Sequence, residues 1–197
     1  MKLIFATNNQ HKIEELQSAI GSAFELQTLR QAGIDIEIPE PYDTLEENAE
    51  EKARLIHELT GLSCFSEDTG LEVEILNGEP GVKSARYAAG DPEFADNIEK
   101  LLFRIGNRTP VKARFRTVIA LILNNERHFF EGICQGHIIN ERRGSSGFGY
   151  DPVFVPEGDT RTFAEMSLDE KNLYSHRKKA AMELVLFLQH ANEPAKK

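Results

Sequence analysis

The chain has 197 residues, 40% of them apolar and 28% charged, which suits one globular domain and excludes a disordered or fibrous chain. Lys and Arg number 23 against 32 Asp and Glu, and the net charge of −9 disfavours a polymeric nucleic-acid partner while leaving room for a small polyanion where basic residues gather in one cleft. The longest apolar run, Val118 to Leu123, falls far short of the ~20 residues of a bilayer span, and the N-terminus lacks a secretory pattern.

Lys2 to Ala6 reads as a buried strand. The polar stretch Thr7 to Lys12 follows it and opens a helix on which Ile13, Leu16, Ala19 and Ile20 share a face, with Gly21 as the stop. Thr44 and Glu47 have capping-box spacing for a second helix, whose face is Ala49, Ala53, Ile56 and Leu59 and whose stop is Gly61. Leu62 to Ser66 and Leu71 to Leu76 read as two strands separated by Glu67-Asp68-Thr69-Gly70. Asn77 to Gly81 reads as a surface loop, and Asp91-Pro92 as the cap of a third helix through Ile105. Lys112 to Leu123 and His128 to Ile139 read as a long hairpin turning at Asn124-Asn125. A glycine-rich stretch, Gly144 to Tyr150, leads into a strand at Val153 to Val155. Ser167 and Glu170 form another capping box, and Ser175 is placed to cap a last helix through His190.

Strands alternate with helices around one inserted antiparallel hairpin. That predicts an α/β fold with a mixed, twisted central sheet and flanking helices. No repeat or linker divides the chain, so residues 1–197 are expected to form a single domain, with a frayed polar tail from Asn192 to Lys197. Cys64 and Cys134 lie in strand-like segments and read as buried free thiols of a reducing cytoplasm, the expected location.

Three groups of residues could carry chemistry. Lys12 sits in the first turn after a strand and loop, where backbone amides and the helix dipole favour an anion, although no P-loop pattern is present. Glu67 and Asp68 follow an apolar strand. In open α/β sheets ligands collect where strands end, and oxygen donors there suit Mg²⁺. Glu40, Glu46 and Glu47 place further acids around the second helix start. Glu46 and Glu47 suit either helix capping or a metal site, whereas Glu40, between Pro39 and Pro41, has no capping role and reads as a turn residue or a ligand. The third group is C-terminal. Phe148 is flanked by glycines and free to stack on a planar base, and Lys171, Ser175, His176 and Arg177 concentrate donors within seven residues.

Five motifs occur in order: Thr7-Asn8-Asn9 through Lys12, Glu67-Asp68-Thr69-Gly70-Leu71, Pro80 through Tyr87, Phe148-Gly149-Tyr150-Asp151-Pro152, and Ser175-His176-Arg177. Together they resemble the inosine/xanthosine triphosphate pyrophosphatase family over essentially the whole chain. The resemblance implies two lobes enclosing a nucleotide cleft, a Mg²⁺-dependent homodimer, and hydrolysis of ITP, dITP or XTP to the monophosphate and pyrophosphate. By motif position, Asp68 is the expected catalytic carboxylate and a metal ligand, with Glu40 a second ligand. Thr7, Asn8, Asn9, Gln10, His11, Lys12, Lys52 and Thr69 are expected along the triphosphate. Phe148, Gly149, Tyr150 and Asp151 are expected to hold the base, and Lys171, His176 and Arg177 to read its polar edge. The chain departs from many members at Asn8, where glycine is common, at Glu67, where aspartate is common, and at Thr69, where serine is common.

Overall fold

A computed structural model describes residues 2–191; the expected frayed tail lies outside the described residues. Among the described residues seven strands form one mixed sheet in the order β2-β1-β3-β5-β6-β7, with β4 paired to β3. They are β1 (Lys2–Phe5), β2 (Glu25–Thr28), β3 (Cys64–Val73), β4 (Pro80–Gly81), β5 (Val111–Leu123), β6 (Glu126–Ile138) and β7 (Phe154–Pro156). β1 runs parallel to β2 and β3, and the remaining pairs are antiparallel. The helices are α1 (Gln10–Ile20), α2 (Leu45–Thr60), α3 (Asn97–Ile105), α4 (Leu168–Lys171) and α5 (His176–Ala191). The α/β expectation holds. Among the described residues no helix is long and apolar enough to cross a membrane.

The sheet divides the core. On one face α1 and α5 pack Leu16, Ile20, Ala181 and Leu184 against Leu3, Phe5, Phe65 and Ile119. On the other, α2 packs Ala49, Ala53 and Ile56 against Ile4, Cys64, Val118 and Ala120. A third cluster, around Leu71, Phe115, Phe154 and Phe163, fills the far end of the hairpin. Burial pushes both thiols, Cys64 and Cys134, up to about 12, which leaves them as inert core groups.

Local signals explain most element ends. Thr44 accepts from Glu47 N–H, and α2 ends at Gly61 in the left-handed region (φ 67°). Asn124 and Asn125 both take positive φ, as the two-residue hairpin turn requires. Ser175 Oγ accepts from Lys178 N–H at the start of α5.

Three expectations need correction, and one strand was not anticipated. Glu67-Asp68-Thr69-Gly70 is not a loop between two strands, because β3 pairs with β5 residue by residue from Cys64 to Val73. Gly70 is a strand glycine: a Cβ there would sit 2.7 Å from the Gly81 carbonyl oxygen. Pro80–Gly81 is accordingly strand β4 rather than free loop. The third helix begins at Asn97, capped by Asp96, while Asp91 instead accepts from Glu93 N–H within a turn (3.3 Å). Strand β2, short and mostly polar, carries no alternation strong enough to announce it.

Candidate active site

The middle of β3 is the floor of the site. Successive strand residues point to opposite faces, and Glu67 and Asp68 follow that rule. Asp68 meets Lys52 of α2 on one face, and Glu67 meets Arg177 of α5 and Lys12 of α1 on the other. The edge of β3 beside β1 loses its strand partner after Phe65 and gains β4 only at Leu71. A cleft of about 500 Å³ opens along that gap, lined by Thr7, Asp68, Thr69, Ser84, Phe148 and His176 among others.

At one end, Lys52 Nζ donates to Glu40 Oε1 (2.5 Å) and Asp68 Oδ1 (3.2 Å). Asp68 Oδ2 is buried with no partner within the protein. Burial raises the Asp68 carboxyl above its ordinary value, and Lys52 and Lys12 only partly offset this. Burial also acts on Glu40, but Lys52 and Arg86 overcome it and hold that carboxyl low. The Lys52 ammonium gains more from Asp68 and Glu40 than burial costs it, so it stays charged. Asn9 accepts from Lys12 N–H (3.3 Å) and caps α1, whose first turn borders the cleft at Asn9 and Lys12.

No group of three or more His, Cys, Asp or Glu side chains converges as a metal cage among the described residues. Mg²⁺ does not need one: it binds through one or two carboxylates, with water and phosphate oxygens completing its shell. Glu40 and Asp68 already converge on one ammonium, and Asp68 Oδ2 is an unused buried acceptor. This donor set fits a divalent ion shared with a bound phosphate chain.

The other end is a buried ion network. Arg177 Nε donates to both Glu67 oxygens (3.0 and 2.8 Å), Nη1 to Glu15, and Nη2 to Thr69 Oγ1 (3.3 Å). Lys171 Nζ joins Glu15 (2.7 Å) to Asp151 (2.6 Å), and Asp151 accepts from Phe148 N–H (2.9 Å). Burial opposes the Glu67 charge, yet Arg177 and Lys12 hold its carboxyl below the usual range. Glu15, Glu67 and Asp151 therefore balance Lys12, Lys171 and Arg177. His176 stacks on Phe115 (4.7 Å between centroids), and its Nδ1 is buried without a partner. Burial and then Arg177 push the imidazole well below its ordinary value, so it is neutral. Gly132 lets β6 pass this close, since a Cβ there would overlap the His176 carbonyl oxygen.

The expected residues divide unevenly. Thr7, Asn8, Asn9, Lys12, Lys52, Glu40, Asp68, Thr69, Phe148, Tyr150, Asp151, Lys171, His176 and Arg177 all line the cleft. Gln10 instead donates to Glu14 on its own helix (3.0 Å), and His11 stacks on Phe148 (5.1 Å between centroids). The Tyr150 hydroxyl donates to the Ser84 carbonyl (3.0 Å), and Gly149 is an exposed turn residue with φ 61°. Glu46 pairs with Arg116, and Glu47 accepts from the Thr44 hydroxyl (2.6 Å), so neither enters the site. Sequence reasoning missed Glu15 and Arg86. Glu15, three residues after Lys12, is buried on α1, and no sequence signal marked it because it lies off the apolar face of Ile13, Leu16, Ala19 and Ile20.

Fold and site define an α/β protein whose cleft joins a lysine–carboxylate end to an aromatic and imidazole end. The chain belongs to the Ham1 family, whose sequence profile matches residues 3–187. It is 53% identical over 189 residues to a protein of Porphyromonas gingivalis named dITP/XTP pyrophosphatase, covering 95% of this chain and 97% of that one. A Flavobacterium psychrophilum protein of the same name is 46% identical over 190 residues, covering 96% of this chain and all of its own length. The solved structure of the Staphylococcus aureus Ham1 protein superposes with a TM-score of 0.85 at 35% identity, covering 98% of this chain and 100% of that one.

Proposed function

We propose that this chain hydrolyses deaminated purine nucleoside triphosphates (ITP, dITP and XTP) to the monophosphate and pyrophosphate. One observation carries the reading. A single cleft holds an unpartnered buried carboxylate oxygen beside two lysines at one end and a neutral, unpartnered imidazole nitrogen at the other. The relatives bearing the dITP/XTP pyrophosphatase name support the substrate class.

In this reading the triphosphate lies over Thr7 to Asn9, with Lys12 and Lys52 against its oxygens. Water attacks the α-phosphorus, the bond from that phosphorus to the α,β-bridging oxygen breaks, and pyrophosphate leaves. Asp68, whose Oδ2 has no partner within the protein, orients the water and takes its proton. Lys52 stabilises charge on the departing pyrophosphate. Glu40 and Asp68 would hold Mg²⁺, which would add positive charge beside the phosphates where Lys52 and Arg86 only cancel Glu40 and Asp68. The base stacks against Phe148, which requires His11 to yield the ring face it covers. Lys171, His176 and Arg177 surround the 6-oxo edge. Adenine offers an amino donor there, and each unmatched buried polar contact costs ~1–3 kcal/mol. The same reading includes two lobes around the nucleotide, a homodimer and a cytoplasmic location, as the family resemblance implies.

The test is product analysis with ITP. The expected result is IMP and pyrophosphate with Mg²⁺ present, none with excess EDTA, and recovery when Mg²⁺ is returned. Formation of IDP and orthophosphate, or undiminished turnover in EDTA, contradicts the reading.

A further inference from the structure

We infer that Arg86 is a positioning residue that fixes Glu40 relative to Asp68 and so sets the affinity of the cleft for its divalent ion. The inference rests on the reading of Glu40 and Asp68 as ligands of that ion.

Glu40 lies on an extended strap between β2 and α2 that forms no regular structure. Pro39 and Pro41 flank it and offer no backbone donors. Side chains hold the strap in place. Asn8 Nδ2 donates to the Ile36 carbonyl (3.0 Å), and Asn48 both donates to and accepts from the Tyr42 backbone (3.0 Å each). Between these ties Arg86 makes a forked contact with Glu40. Its Nη1 donates to Oε2 (2.9 Å) and its Nη2 to the backbone carbonyl (3.1 Å). A guanidinium fixes both the side chain and the main chain in this way, which an ammonium cannot do.

Arg86 is itself referenced to the strand that bears Asp68. It ends the turn Ser84–Arg86. Ser84 Oγ accepts from Leu71 N–H on β3 (2.8 Å) and donates to the Gly81 carbonyl (2.6 Å). Asn97 Nδ2 donates to the carbonyls of Ser84 (3.2 Å) and Ala85 (3.1 Å). One rigid path thus runs from β3 through the turn to Glu40. Lys52 cannot replace it, because its single ammonium is shared between Glu40 and Asp68 and is the group an incoming cation must displace or share. Loss of Arg86 leaves the Glu40 Oε2 atom and carbonyl without that fork, while Asp68 stays in place on β3.

The experiment measures Mn²⁺ binding, from the electron paramagnetic resonance of the free ion, with the α,β-imido analogue of ITP present. Wild type, Arg86→Ala and Arg86→Lys are compared. Arg86→Ala is expected to weaken Mn²⁺ binding about tenfold, the size typical for residues that orient metal ligands. Arg86→Lys should fall between the two. The Mg²⁺ concentration for half-maximal ITP hydrolysis should rise in step, by more than kcat at saturating Mg²⁺ falls, with the thermal midpoint near wild type. Equal Mn²⁺ affinity in wild type and Arg86→Ala overturns the role of Arg86. So does a lysine variant as impaired as the alanine one with an equally lowered thermal midpoint. A wild type that binds no Mn²⁺ removes the metal reading itself, and the role of Arg86 with it.

Discussion

Glu67 and Asp68 are adjacent in sequence and serve opposite faces of β3, Glu67 bound to Arg177 and Lys12, Asp68 to Lys52 with one oxygen free. The two acids therefore fail differently. Asp68→Asn keeps the shape and removes the charge, and kcat for ITP is expected to fall at least ~100-fold with stability preserved. Glu67→Gln strips a counter-charge from two cations, one of them fully buried, and is expected to cost ~3 kcal/mol of folding free energy. Urea unfolding and steady-state kinetics on both variants check this. Near-normal turnover in Asp68→Asn would remove it from the chemistry, and an unchanged unfolding midpoint in Glu67→Gln would sink the structural role of Glu67.

Glu15 joins α1 to α4 and α5 through Lys171 and Arg177, both buried. Glu15→Ala leaves each cation one partner short and is expected to destabilise the fold by ~3–5 kcal/mol. Glu15→Gln retains an acceptor and should lose less. An alanine variant within ~0.5 kcal/mol of wild type in urea would show that the three residues do not act as a unit.

The elements that announced themselves were those with strong local chemistry. Thr44 and Gly61 bracket α2, and Asn124-Asn125 turns the β5–β6 hairpin, because caps and two-residue turns are decided within a few residues. β3 was read as two pieces because a polar Glu67-Asp68-Thr69-Gly70 stretch looks like a loop. Its strand character comes from β5 and from the close approach of Gly81, both distant in sequence. The same holds in the site. Lys12, Asp68 and Arg177 were legible as residue types in motifs. The partners of Arg177 were not, because Glu15 lies 162 residues away and an acid on a helix ordinarily faces water.

His176 gives a pH prediction with a definite sign. Its folded value lies below the unfolded value of ~6.5. The stability gained by keeping the ring neutral is full above that pH and declines as pH falls from ~6.5 toward the folded value. One proton gives at most ~1.4 kcal/mol per pH unit. Unfolding free energies between pH 7 and pH 5 should drop more steeply in wild type than in His176→Phe, which keeps a ring against Phe115. Parallel curves would mean that the imidazole is not held neutral.

A comparison of kcat/KM for ITP, XTP, ATP and GTP with Mg²⁺ present, read by pyrophosphate release, tests the proposed activity most directly. Two unmatched donor contacts of ~1.4 kcal/mol each predict at least ~100-fold preference for ITP and XTP over ATP. ITP, XTP and ATP hydrolysed with equal efficiency, or no pyrophosphate from any of the four, would contradict it.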